Sequence, residues 1–363
     1  MTFAETFEIV PGYRISRVIR GGWQLAGGHG DIDRSIVSAD LTAFHDAGIT
    51  TFDCADIYTG VEEMIGDFRT VLLHARGTEA LAKLKVHTKY VPDLDILPRI
   101  TATDVRRIID RSLQRLRMER LDNVQFHWWD YSAPRYVEVA QHLRDLQIEG
   151  KIDLVSGTNF DAAHVSEIAA AGVTFATLQV QYSVLDQRPA GSLTKSCDQL
   201  GTKLLCYGTL AGGFLSDRWL GKAEPVTQLG NRSLTKYKLI VDDFGGWALF
   251  QALLETLRDV ADRHNTGISV VASRYVLDMP LVAGVIVGAS HAGHLGDALR
   301  VGEIRLSADD RNVIAAAIAH GHGLSGEVYA LERDRNGRHG SIMKYNLADV
   351  PAAQPESHGP RDR

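Results

Sequence analysis

The sequence predicts an α/β chain folded as a (β/α)8 TIM barrel, a single domain with a long loop after its seventh strand and a C-terminal extension. Three observations carry that expectation. Short apolar runs alternate with longer amphipathic stretches almost from end to end. Repeated strand-then-helix order requires a parallel sheet, because each crossover helix returns the chain to the same end. The units number about eight, enough to close on themselves as a barrel.

The candidate strands lie at residues 18–22, 50–53, 85–89, 123–127, 152–155, 174–179, 203–207 and 283–287. Between them, Val105, Ile108, Ile109, Leu113 and Leu116 fall at helical spacing, and Thr101 to Asp104 reads as a helix start. Tyr136, Val139, Ala140 and Leu143 form a second stripe, and Phe250, Leu253, Leu254, Leu257 and Ala261 a third. These stripes are packing faces. Residues 208–246 show no strong period and contain Gly212, Gly213, Gly221, Pro225, Gly230, Gly245 and Gly246, so they read as a lid or binding loop. Residues 1–320 are assigned to the barrel and 321–363 to the extension. A helix-like stretch at 307–320 precedes that extension, and residues 351–363, rich in Pro, Ser and charge, are expected to be disordered.

Composition narrows the class. Of 363 residues, 45% are apolar and 23% charged, as in ordinary globular proteins. A net charge of −6 without a basic block argues against nucleic acid as a partner. Cys54, Cys197 and Cys206 are scattered and odd in number, which fits a reducing compartment, and Cys54 and Cys206, beside key residues, read as inert core thiols. No signal-peptide pattern opens the chain, and no apolar run reaches bilayer length, so a cytoplasmic location without membrane insertion is expected. The sequence leaves a homo-oligomer open.

The chemistry concentrates at strand ends. Asp53, Lys89 and His127 close three consecutive candidate strands, and Tyr58 follows Asp53 in the next loop. In a (β/α)8 barrel such positions converge on one mouth. A nearby ammonium favours a phenolate, so Lys89 is expected to make Tyr58 unusually acidic, with Asp53 keeping Lys89 charged. His127 would hold a substrate oxygen or relay its proton. The set protonates an oxygen and supplies no hydride, so a cofactor must.

These motifs resemble the aldo-keto reductase superfamily over roughly residues 18–299. Asp53 to Tyr58 is similar to that family's Asp-x4-Tyr signature, Thr88-Lys89 to its lysine strand, and Phe126-His127 to its histidine strand. The resemblance implies that an aldehyde or ketone is reduced with NAD(P)H, Tyr58 being the general acid. It places Thr158, Asn159 and Gln179 at the nicotinamide carboxamide and Tyr207 against the nicotinamide ring. It places Leu210 and Gly212 around the pyrophosphate, and Gly288, Ser290, His294 and Asp297 at the adenosine end. Gly22 and Trp23 would pass close to the cofactor, and Trp23 and Trp128 would wall the substrate. Arg218, assisted by Arg232 or Lys236, would meet a 2′-phosphate, so NADPH is expected over NADH. The chain departs from the family pattern at Trp129, where many members have proline, at Gly208-Thr209, which replace Ser-Pro, and at Ala298, which replaces asparagine.

Plainer readings compete with these. Asp53 and Lys89 alone would make an ordinary buried ion pair. The pairs His291/His294 and His320/His322 lack a third ligand of fitting spacing, so no metal is expected. A cofactor-sensing regulatory subunit with incidental catalysis is the alternative to an enzyme.

Overall fold

The structure is a computed structural model that describes residues 4–27, 34–226, 229–230, 232–289 and 291–347. Strands β1 (Thr6–Val10) and β2 (Tyr13–Ser16) form an antiparallel hairpin. Eight parallel strands follow: β3 (Val18–Gly21), β4 (Thr51–Asp53), β5 (Lys85–Tyr90), β6 (Leu121–Phe126), β7 (Ile152–Thr158), β8 (Thr177–Gln181), β9 (Lys203–Tyr207) and β10 (Val282–Gly288). They close in the order β10-β3-β4-β5-β6-β7-β8-β9. The closing seam pairs Val285 with Val18 and Gly288 with Gly21. All eight expected strands are present, shifted by a few residues at their ends.

Helices cover the outside: α1 (Arg34–Asp46), α2 (Val61–Lys83, broken at Gly77), α3 (Ala102–Leu116), α4 (Tyr136–Ile148), α5 (Ala162–Ala170) and α6 (Ser192–Leu200). They continue as α7 (Arg232–Phe244), α8 (Trp247–Arg263), α9 (Ile268–Leu277), α10 (Leu295–Glu303), α11 (Ala308–Ala319) and α12 (Ala330–Arg333). The start signal at Thr101 is a capping box: its hydroxyl accepts from the Asp104 amide while the Asp104 carboxylate accepts from the Thr101 amide. The three apolar stripes face inward, with Val105, Ile109, Val139, Leu143, Leu253 and Leu257 all buried.

Two features differ from the expectation. The hairpin was not foreseen; its Ile9, Tyr13 and Ile15 cluster with Ile19, Leu154, Leu205 and Ala283 and plug the N-terminal end of the barrel. The segment 208–246 is not all loop, because α7 occupies thirteen of its residues. Tyr237, Ile240, Val241 and Phe244 are the buried stripe that makes that helix.

The extension also has a defined course. His339 bonds Asp243 near the end of α7 at 2.6 Å, and the Tyr345 carbonyl accepts from the Leu94 amide beyond β5. It therefore spans the C-terminal mouth of the barrel. Residues 351–363 lie outside the described residues. Among the described residues, no helix is long and apolar enough to cross a membrane.

Candidate active site

Strand alternation turns residues of like parity to one face. Asp53, Lys89, Gln125 and Gln179 meet inside the barrel in this way. Lys89 Nζ donates to Asp53 Oδ2 at 2.7 Å and to the Cys54 carbonyl at 2.8 Å. Asp53 Oδ1 accepts from Gln179 Nε2 at 2.6 Å and from Gln125 Nε2 at 2.9 Å. Gln179 Nε2 also donates to Gln125 Oε1 at 2.8 Å. All four side chains are buried.

Tyr58 stands over this group. Its ring centre is 5.1 Å from the Lys89 ammonium and 5.0 Å from the Trp23 ring. The Tyr58 amide donates to the Ala55 carbonyl at 3.0 Å, which turns the loop back over Asp53. Burial raises the phenol, and the Lys89 charge offsets only part of that rise. The expected acid phenol is therefore corrected: Tyr58 lies above its ordinary value, and it holds its proton at neutral pH. For Lys89, burial opposes the charge, but the Asp53 carboxylate outweighs it and holds the ammonium above its usual range.

His127 follows the last residue of β6. Its Nδ1 lies 3.3 Å from the Thr158 carbonyl. A carbonyl only accepts, so Nδ1 carries the proton and Nε2 is a bare acceptor. Burial, aided by the nearby Arg333 charge, drops this imidazole to about 3 and keeps it neutral.

The two tryptophans separate. Trp128 is fully buried; its indole N–H donates to the carbonyls of Asp130 and Ala133, and its ring packs on Phe126 and Tyr136. Its place in the substrate wall is thus corrected. Trp129 is the one that lies against His127, with its ring 4.2 Å from that imidazole and 5.2 Å from Tyr345. Alternation contained the signal: if His127 faces inward, Trp128 faces the helices.

The remaining positions ring the mouth. Asn159 is left-handed, with φ 62°, and its Oδ1 accepts from the Tyr207 hydroxyl at 2.9 Å. Thr158 donates from its hydroxyl to the Gln179 carbonyl at 3.2 Å. The NH2 of Gln179 is spent on Asp53 and Gln125, so only its oxygen is left for a carboxamide. After Leu210, Ala211, Gly212 and Gly213 have φ of 45°, 65° and 102°, a left-handed turn in which the Ala211 and Gly213 amides donate to the Gly208 and Leu210 carbonyls at 2.8 and 2.9 Å. A Cβ on Gly22 would lie 2.7 Å from the Asp53 carbonyl, and one on Gly288 would meet Gln24. Arg218 is exposed, its guanidinium 5.5 Å from the Trp219 ring. His294 stacks on His291 at 4.9 Å, and Asp297 lies in the first turn of α10. Ser290 lies outside the described residues, as does the side chain of Arg232.

Lys236 is corrected. Its ammonium pairs with Glu332 at 3.6 Å and lies 5.5, 5.6 and 5.7 Å from the rings of Tyr207, Tyr237 and Tyr329. It is committed to the extension and is not free for a phosphate. Burial would raise the Glu332 carboxyl, but Lys236 and Arg188 bring it down to about 2. Arg188 in turn pairs with Asp186 at 2.7 Å. Sequence reasoning missed this cluster, together with Tyr329, whose ring is 5.4 Å from His127. The three cysteines are free and buried, and burial pushes the Cys54 and Cys206 thiols well up, out of reactive range.

Comparison with known proteins shows the family and the fold. The Aldo/keto reductase family matches residues 17–319. Flagellar radial spoke protein 5 of Chlamydomonas reinhardtii is 32% identical over 45% of this chain and 35% of its own length. The NADH-specific methylglyoxal reductase of Escherichia coli (strain K12) is 27% identical over 56% of this chain and 66% of its own. The chain thus spans about a third of the first relative and somewhat under two thirds of the second. Among solved structures, the glycerol dehydrogenase from Gluconobacter oxydans superposes with a TM-score of 0.71 at 22% identity, covering 89% of this chain and 97% of that one, which shows the fold. The chain belongs to the aldo/keto reductase family.

Proposed function

We propose that this aldo/keto reductase family member reduces the aldehyde or ketone group of a small molecule with NADPH, Tyr58 donating the proton. The observation that carries the reading is the Asp53–Lys89 pair lying against Tyr58 at the barrel mouth. When bound, a dihydronicotinamide supplies the hydride. The residues that would hold the cofactor are Gly22, Trp23, Asp53, Thr158, Asn159, Gln179 and Tyr207 at one end, Leu210, Gly212 and Arg218 along the phosphates, and Gly288, Ser290, His294 and Asp297 at the other. The left-handed backbone at Gly212 and Gly213 makes a turn that can come close to such a group.

Tyr58 gives its proton to the substrate oxygen as negative charge develops there. Lys89 then stands beside the phenolate left behind, and Asp53 keeps Lys89 charged and fixed. His127, neutral and bare at Nε2, accepts from the hydroxyl that forms, so it steadies the alcohol side of the reaction. Trp23, Trp129 and Tyr329 give the pocket an aromatic wall, which suits an apolar or aryl carbonyl compound.

The preference for NADPH rests on Arg218. NADH is the second reading, favoured by the commitment of Lys236 to Glu332 and by histidines in place of basic residues at the adenosine end. Separate fluorescence titrations with NADPH and NADH, followed by turnover on a panel of carbonyl compounds, decide between the two. Binding of either without any turnover would point to a cofactor-sensing subunit. Tyr58→Phe should abolish turnover and leave cofactor binding nearly intact; a fully active variant would remove Tyr58 as the acid.

A further inference from the structure

We infer that Arg333, in the C-terminal extension, is a positioning residue: it fixes the ends of β6 and β7 and, through them, His127 and Asn159. The inference rests on the reading above for what those two residues do. How they are held is geometry. Arg333 Nη2 donates to the Asn159 carbonyl at 2.8 Å and to the Trp128 carbonyl at 3.1 Å. One carbonyl belongs to Asn159 itself and the other to the residue after His127. Both lie just past the ends of their strands, and one planar nitrogen bridges the two.

The guanidinium is itself fixed. It lies 4.2 Å from the centre of the Tyr131 ring, and that ring stacks on His164 at 3.4 Å. Its Nη1 turns back to the Val328 carbonyl at 3.4 Å. The preceding residue, Glu332, is fully buried between Arg188 and Lys236 and anchors the same short helix. Asn159 depends on such support because a left-handed asparagine costs free energy unless its surroundings hold it. The Tyr207 hydroxyl fixes its side chain and Arg333 its main chain. Arg333 acts through the two residues it steadies. Lysine would keep a charge and donors but lose the planar guanidinium that lies 4.2 Å from the Tyr131 ring centre.

The test compares Arg333→Ala and Arg333→Lys, with the exposed neighbour Arg335→Ala as control. Cofactor affinity is measured with NADPH, and kcat and KM with one carbonyl substrate. Arg333→Ala should weaken NADPH binding and lower kcat, each by about ten- to a hundred-fold, as small misplacements of reacting groups do. Arg333→Lys should fall between it and the parent, and Arg335→Ala should match the parent. Millimolar guanidinium, well below unfolding concentrations, should restore part of the kcat of Arg333→Ala and of no other variant. A folded Arg333→Ala with parental affinity and kcat would overturn the inference, as would a loss that guanidinium does not relieve. Should Arg333→Ala not fold, parental constants for Arg333→Lys would overturn it. Tyr58→Phe measured in parallel keeps the two failures apart: an active Tyr58→Phe sinks the functional reading, whereas an inactive one beside a parental Arg333→Ala sinks this inference alone.

Discussion

Lys89 donates to Asp53 at 2.7 Å with both side chains more than nine-tenths buried, so neither charge has water to fall back on. Breaking a buried pair by removing one partner costs about 3–5 kcal/mol, because the survivor stays buried and unpaired. Lys89→Met should therefore lose stability on that scale as well as turnover. Urea unfolding alongside steady-state kinetics checks both. Parental stability with lost activity would mean that Asp53 finds another partner.

Trp128 and Trp129 give opposite predictions. Trp128→Ala should destabilise by about 3–5 kcal/mol, the usual cost of emptying a large aromatic site, and leave KM unchanged in whatever folds. Trp129→Ala should raise KM for the carbonyl substrate with a smaller loss of stability, since its ring lies against His127. Thermal melts paired with KM for each variant distinguish the two roles.

His87 shapes the acid limit. It is fully buried, its Nε2 is 3.2 Å from the Tyr13 hydroxyl, and burial lowers its pKa to about 4. The sign follows from which state binds the proton. The unfolded chain takes it up below pH ~6.5, while the folded one resists until about 4. This contribution is whole above the unfolded value and is lost as pH falls from there through the folded value. His127, held at about 3, adds a loss of the same sign. Unfolding free energy against pH should slope less steeply in that window for His87→Gln than for the parent. Identical slopes would show that His87 does not resist protonation.

Gly22→Ala tests the approach of the chain to the site. The new Cβ would meet the Asp53 carbonyl at 2.7 Å, a main-chain atom that cannot swing aside. That carbonyl also accepts from the Gly22 amide at 2.7 Å. The variant should lose activity by about ten-fold or more through displacement of Asp53. Kinetics of the variant at full cofactor saturation would show it, and a parental kcat would mean that β3 moves instead.

Much of this molecule was legible in the chain because strands and barrel sites are written locally. Asp53, Lys89 and His127 could be read because each ends or follows an apolar run, and the barrel rule brings such ends together. Thr101 announced α3 through a bond three residues long. The helix α7 was hidden by the glycines around it, although Tyr237, Ile240, Val241 and Phe244 carry its period. The hairpin was overlooked for the opposite reason: two short strands around Pro11-Gly12 were too brief to stand out. Glu332 and Arg333 could not be read at all. Their partners lie on α7, in the turn at Arg188 beyond β8 and just past the ends of β6 and β7, and only the folded course of the extension brings them there.

The seam between Val18–Gly21 and Val282–Gly288 has a consequence for making this protein. Its two sides come from opposite ends of the barrel's sequence, so the growing chain carries raw sheet edges until the last staves are synthesised. Unpaired edges invite neighbouring chains to stick, and contacts so distant along the sequence form slowly. Slow, cool expression that leaves time for closure should raise the recovered yield more than any change to the finished surface.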